Sequence, residues 1–114
     1  MSPLEPDVER QLARAWPSLE EQRAARPLIH SYAGAELDRV RLAMIKLSQG
    51  SLDRLQTLSA QAKVDYRDLL LWAEYPEQGR AQHLAHAPLS LAERKELRAI
   101  HARDRAQYEA WLKA

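Results

Sequence analysis

Residues 35–55, AELDRVRLAMIKLSQGSLDRL, decide the fold of this chain. Their apolar side chains recur at steps of three and four, which is the spacing of one face of an α-helix: Leu37, Val40, Met44 and Leu47. Gly50 ends this helix, because glycine enters the left-handed conformation without strain. Ser51 follows as the N-cap of a second helix. So short a connection makes the two helices antiparallel neighbours, and the stretch therefore predicts an αα-hairpin.

Prolines and capping residues divide the rest of the chain into further helices. Pro17 and Pro27 are expected to end two short N-terminal helices, and a capping box that begins at Ser90 opens the last one. The predicted helices span residues 7–16, 18–26, 35–48, 52–74 and 91–112. We expect them to form a single helical domain over residues 1–114.

The amino-acid composition favours helices throughout. The chain has 19 Ala, 18 Leu and 13 Arg but only 3 Val, 3 Ile and 1 Thr, so residues that favour strands are scarce. These counts predict an all-α fold, a small helical bundle around a central antiparallel hairpin. The absence of cysteine excludes disulfides and thiolate metal sites. We expect no cofactor.

Charge and hydropathy limit the classes of partner. The 17 basic and 16 acidic side chains nearly cancel, whereas dedicated nucleic-acid domains are usually far more basic, so the composition disfavours nucleic-acid binding. No segment approaches the roughly 18 apolar residues that span a bilayer. The N-terminus lacks the basic start and apolar stretch of a signal peptide. These features predict a soluble, cytoplasmic protein without a membrane partner.

Three carboxylates near the end of the second hairpin helix are the candidates for catalysis. Asp65 and Asp68 lie three residues apart and could face one cleft as a general acid and base. Glu74, six residues after Asp68, is the third candidate. The structural alternative is favoured for Asp65. In an ideal hairpin Asp65 lies opposite Gly34 and Ala35, where its carboxylate would accept hydrogen bonds from the first N–H groups of the opposite helix.

The histidines raise two further possibilities. His83 and His86 have a spacing that would let both reach one metal ion, with Glu74 as the nearest further ligand, although solvated connector residues are the simpler interpretation. His101 and Asp104 lie one turn apart on the last helix and are predicted to form a hydrogen-bonded structural pair. A catalytic dyad would need a nucleophile for which no motif is present.

Surplus apolar surface predicts self-association. Val64, Leu71 and Tyr75 fall outside the hairpin seam, and Trp111 lies on an aromatic face of the last helix. The short N-terminal helices offer little to cover them. We therefore expect a homodimer with these four side chains near its interface.

One part of the chain has a family resemblance. The stretch RVRLAMIKLSQGSLDRL, followed by AKVDYRDLLLWAEYP, resembles a group of small bacterial proteins whose function is not established. The similarity covers residues 36–77 and implies that the hairpin is one unit, but it implies no activity, ligand or catalytic residue. The favoured function is a non-enzymatic interaction module that self-associates or binds another protein. The alternatives are a metal- or carboxylate-dependent enzyme and a weak nucleic-acid binder.

Overall fold

The computed structural model describes residues 3–114, and within them the fold is the predicted all-α helical bundle. It contains six α-helices and one 3₁₀ turn over Gln82–Leu84, and this part of the chain has no strand. The α-helices are α1 Pro6–Ala15, α2 Leu19–His30, α3 Leu37–Ser48, α4 Leu52–Glu74, α5 Pro76–Arg80 and α6 Leu91–Lys113. None of them is both long and apolar enough to cross a bilayer.

The chain divides into two compact units, Met1–Leu70 and Leu71–Ala114, which we call unit 1 and unit 2. The boundary lies inside α4. That the whole chain folds as a single domain stays a prediction.

Unit 1 is built around the apolar face of α1. Val8, Leu12 and Trp16 are fully buried, and α1 packs against α2 and α3. The indole N–H of Trp16 donates a hydrogen bond of 3.1 Å to the carbonyl of Gly50. A buried indole needs such an acceptor, so this contact ties the end of α1 to the turn between α3 and α4.

The hairpin turn forms as the sequence predicts. Gly50 has φ 76°, and Gln49 also adopts the left-handed conformation, with φ 51°. The hydroxyl of Ser51 accepts a hydrogen bond of 3.2 Å from the backbone N–H of Arg54, as an N-cap should. Helices α3 and α4 pack against each other.

The prediction that Pro27 ends α2 is wrong. The helix continues to His30, and the N–H of Ser31 bonds to the carbonyl of Pro27 at 3.0 Å. Proline removes only one helical donor, its own N–H, and here a contact from α3 also covers the end of the helix. The buried guanidinium of Arg41 donates to the carbonyl of Tyr32 at 2.9 and 3.1 Å and to that of His30 at 3.4 Å. It thereby satisfies carbonyls that a helix end leaves unpaired.

The predicted role of Asp65 is also wrong. Asp65 has φ −153° and ψ 99°, which breaks α4 into two segments, and its carboxylate does not reach the start of α3. It accepts from the backbone N–H of Arg67 at 3.0 Å and from that residue's guanidinium at 3.1 Å. Asp65 therefore caps the segment that follows it in its own helix. An ideal hairpin would have an unbroken α4, whereas the backbone of α4 is non-helical at Asp65.

The start of α3 differs from its predicted position at Ala35. The helix begins at Leu37 after Glu36, which has φ 54°, and no side chain caps this end. The hydroxyl of Tyr32 donates to the carbonyl of Ala35 at 2.6 Å. That contact keeps residue 35 in the loop before α3.

Unit 2 consists of the end of α4, the short α5, the 3₁₀ turn and α6. The capping box at the start of α6 is present as predicted, with Ser90 and Glu93 each accepting from the other's backbone N–H. Ile100, Asp104 and Tyr108 form the buried face of α6. This face packs against α5.

Candidate functional site

The site in unit 2 is held together by a carboxylate of α6. Asp104 is only 2% exposed, and its two oxygens accept from the backbone N–H groups of Glu77 and Gln78, at 3.0 Å each. These are first-turn donors of α5, which have no partner within their own helix. A helix of five residues has little stability of its own. Asp104 thus holds α5 against α6.

The predicted hydrogen bond between His101 and Asp104 does not form. Both carboxylate oxygens of Asp104 face α5, while the exposed imidazole of His101 stacks on Tyr75 with ring centroids 4.9 Å apart. The sequence places the two side chains one turn apart, but a third element, α5, supplies better donors to the carboxylate. The spacing of side chains along α6 gives no information about the backbone N–H groups of α5.

Two further contacts tie α6 to the chain before it. The guanidinium of Arg103 forms a two-pronged ion pair with the carboxylate of Glu77, with Nε to Oε2 at 3.0 Å, and this pairing lowers the pKa of Glu77 below its usual range. The side-chain amide of Gln107 donates to the carbonyl of Ala73 at 3.2 Å. The end of α4, α5 and the middle of α6 therefore form one braced frame.

A groove opens on this frame beside Leu97. Its main hollow has a volume of about 360 Å³ and is lined by Gln78 of α5 and by Arg94, Leu97, Arg98 and His101 of α6. Leu97 is half-buried and forms the apolar floor. The two arginines are exposed and form the rim. We call this feature, with its extension below, the Leu97 groove.

A second hollow of about 220 Å³ shares Gln78 and Leu97 with the first and is the other part of the Leu97 groove. Its wall is mostly apolar or small and comprises Leu71, Gly79, Ala81, Gln82, Leu84 and Ala85, together with Gln78 and Leu97. At Gly79 a Cβ atom would lie 3.3 Å from Cγ of Leu71. The missing side chain lets α5 approach Leu71 closely, and this shapes the end of the groove.

The charge on the rim is not neutralised. Arg94 and Arg98 lie four residues apart on α6, where like charges repel and destabilise a helix slightly. Neither forms an ion pair with any residue of 3–114. The acidic side chains nearest in sequence are engaged elsewhere, Glu93 in the capping box and Glu96 with His83. The rim therefore presents two free positive charges beside an apolar floor.

The candidate catalytic carboxylates do not form a pair. Asp65 is bound to Arg67, which lowers the pKa of Asp65, and Asp68 accepts from the side-chain amide of Gln61 at 3.5 Å. Glu74 is buried near the end of α4. An acid–base pair requires two carboxylates directed at one substrate, and Asp65 and Asp68 are instead each engaged by a different neighbour in α4.

The candidate metal ligands lie apart from any cluster. Nε2 of His83 is 3.1 Å from Oε1 of Glu96, and His86 is exposed in the loop that follows. Across residues 3–114 no group of three or more His, Asp or Glu side chains is placed to hold a metal ion.

Three of the four predicted interface residues have neighbours within unit 2. Leu71 lines the Leu97 groove beside Gly79, Tyr75 stacks on His101, and Trp111 stacks on Tyr108 at 5.7 Å. Val64, in unit 1, is 80% exposed. Their common role at a dimer interface stays a prediction.

Sequence reasoning missed Arg94, Leu97 and Arg98 as site residues. The available signal was the run ERKELR, residues 93–98, in which two arginines lie four residues apart and therefore on the same face of a helix. It was weak, because such runs are normally paired with acidic residues and solvated. The predicted capping box already engages Glu93, and only the tertiary structure reveals that Glu96 is engaged by His83.

Comparisons with known proteins yield no relative that assigns a role to this site. No protein-family model matches the chain, no curated protein sequence matches it, and no solved structure matches its fold. The resemblance of residues 36–77 to small bacterial proteins is not tested by these comparisons.

Proposed function

We propose that this protein is a non-enzymatic helical interaction module that binds a protein partner in the Leu97 groove. One observation carries the proposal: an apolar groove is bordered by Arg94 and Arg98, whose charges no residue of 3–114 neutralises. A partner with an apolar side chain for the floor and carboxylates for the rim would satisfy both features.

The physical properties of the groove support a protein partner. Arginine side chains combine an apolar stem with a planar group that binds carboxylates in a two-pronged manner, and arginine is enriched at protein interfaces. The floor at Leu97 excludes water from part of the contact, which strengthens charge pairing at the rim. The hydrogen bonds of Asp104 hold α5 and α6, which line the groove, together before binding, and this reduces the entropy cost of association.

A fluorescent label in the groove tests the proposal. The chain has no cysteine, so Gln82→Cys creates one attachment point at the exposed edge of the second hollow. The probe is a synthetic amphipathic helical peptide with a leucine face flanked by glutamates. We expect saturable changes in emission on titration, and a weaker response in the Arg94→Glu and Arg98→Glu backgrounds.

Two controls make the result specific. Ala60→Cys carries the same label on an exposed position of α4, in unit 1, and should not respond. A matched peptide with lysines in place of the glutamates should not bind, because like charges across an interface oppose association. Equal responses from both peptides, or from neither at the groove label, would contradict the proposed function.

A further inference from the structure

Five large apolar side chains are exposed among residues 3–114, and each is a possible anchor for a groove on another copy of the chain. They are Leu19, Leu37, Val64, Trp72 and Leu91. The rim of the Leu97 groove carries two free arginines, so the complementary anchor must lie beside free carboxylates. The charges around each anchor therefore discriminate between them.

Leu19 alone meets the charge requirement. It is 69% exposed at the start of α2 and is followed by Glu20 and Glu21, both exposed. Glu20 forms no ion pair in the part of the chain described, and Glu21 is engaged only with Ser18, the N-cap of α2. The segment thus offers one leucine and two carboxylates in a single turn.

The other exposed anchors fit less well. Beside Trp72 the following carboxylate, that of Glu74, is buried. Val64 lies between Lys63 and Asp65, and the aspartate is already paired with Arg67. Leu91 precedes Arg94 and Lys95, so it carries the same sign of charge as the groove. At Leu37 the preceding carboxylate, that of Glu36, is bound to Arg39, which leaves one acid and one apolar side chain.

We infer that the occupant of the Leu97 groove is the Leu19–Glu21 segment of a second copy of this chain. Leu19 of one protomer lies on Leu97 of its partner, and the carboxylates of Glu20 and Glu21 face the guanidinium groups of Arg94 and Arg98. Each protomer carries both surfaces, so copies of the chain can join through this contact. This inference rests on the proposed function of the groove.

Charge reversal on both sides of the contact tests the inference by sedimentation velocity from micromolar to submillimolar protein. Arg98→Glu and Glu20→Arg should each weaken association by about tenfold or more, since each places like charges together at the contact. An equimolar mixture of the two single variants should recover association, because every contact between unlike variants is then either native or has both charges exchanged. The double variant should also associate.

Matched variants separate this interface from other surfaces. Leu19→Ala removes the anchor without changing charge and should weaken association, whereas Val64→Glu changes a more exposed apolar residue and should leave it unaltered. Circular dichroism confirms that each variant keeps the helical content of the native chain. Association that is lost in Val64→Glu but retained in Arg98→Glu and Glu20→Arg would overturn the inference in favour of the Val64 surface.

The outcome also separates this inference from the function on which it rests. A native chain that stays monomeric over the whole concentration range, while its labelled groove binds the glutamate-flanked peptide, refutes the second copy as occupant and leaves the groove as a protein-binding site. A groove that binds no peptide in a chain that associates with no sensitivity to Arg98→Glu refutes both. Recovery in the mixture of single variants is expected only of direct pairing between protomers.

Discussion

At the scale of single residues, two aspartates have the same role, because each accepts hydrogen bonds from backbone N–H groups at the start of a helical segment. Asp65 caps the second segment of its own helix through the N–H of Arg67. Asp104 reaches from α6 to the first N–H groups of α5. Both satisfy donors that a helix start leaves unpaired. The exposed cap depends on neighbours in sequence, whereas the buried one depends on the fold of unit 2.

Loss of the Asp104 carboxylate should destabilise unit 2. In Asp104→Asn the amide has only one acceptor oxygen, so one backbone N–H of Glu77 or Gln78 faces an NH₂ group. Leaving a buried donor unsatisfied costs about 1–3 kcal/mol, which chemical denaturation should reveal. Hydrogen exchange by NMR should show faster exchange of these two amides in the variant. Glu109→Gln, which removes an exposed ion pair on the same helix, should cost about 0–1 kcal/mol.

Replacement of Asp65 should have a smaller and more local effect. Asp65→Ala removes the acceptor of the Arg67 N–H and should lower the melting temperature, because the N-cap is lost. Asp65→Ser should recover part of the loss, because a hydroxyl oxygen still accepts. Thermal melts of the three proteins would measure both effects. A melting temperature of Asp65→Ala equal to that of the native chain would show that the cap contributes nothing.

At the scale of helices, an ion pair between side chains far apart in sequence joins α1 to α2. Arg26 of α2 forms a two-pronged ion pair with Glu9 of α1, and the same carboxylate accepts from the N–H of Leu4 at 3.1 Å. The hydrogen bond from Arg26 is the main cause of the lowered pKa of Glu9, and burial opposes it. The pair is partly buried, so salt screens it less than an exposed pair.

The lowered pKa of Glu9 predicts a loss of stability in acid. A carboxyl group whose folded pKa lies below its unfolded value stabilises the fold fully above the unfolded value, near the ordinary glutamate pKa of about 4.3. This contribution disappears as pH falls through the folded value. Glu9→Gln should therefore reduce the dependence of unfolding free energy on pH in this acid range. Asp38→Asn, an exposed carboxyl group without an ion pair, should change that slope less.

At the scale of the whole molecule, the positive and negative charges nearly balance, but some charged side chains form ion pairs and others do not. The net charge is +1, so no long-range field attracts a polyanion. Locally, Arg94 and Arg98 remain free on α6, while Glu20 remains free on α2. A neutral total can therefore conceal two surfaces of opposite sign, which favours specific pairing over nonspecific adhesion.

The association of the whole molecule should weaken with salt. Charge pairs at the rim of an interface are screened over distances of about 10 Å at 0.1 M ionic strength and about 3 Å at 1 M. We expect the average mass in light scattering to fall as sodium chloride is raised at constant protein concentration. Purely apolar contact would strengthen or stay constant under the same change, and that result would exclude the arginine rim as the main source of affinity.

The sequence by itself determined the helical class, the hairpin turn and the capping box at Ser90. These features depend on composition and on residues within one or two turns of each other, which local spacing reports directly. Local chemistry was sufficient because each of these features is stabilised mainly by neighbours along the chain.

Only the tertiary structure decided where the long-range polar groups bind. Pro27 stays helical in a segment whose final carbonyls Arg41 satisfies, and Asp104 turns from His101 to α5 because that helix presents two free N–H groups. The charge of the Leu97 groove likewise depends on which acids are already paired. A polar group binds the best partner within reach, and the fold rather than the spacing along one helix sets what is within reach.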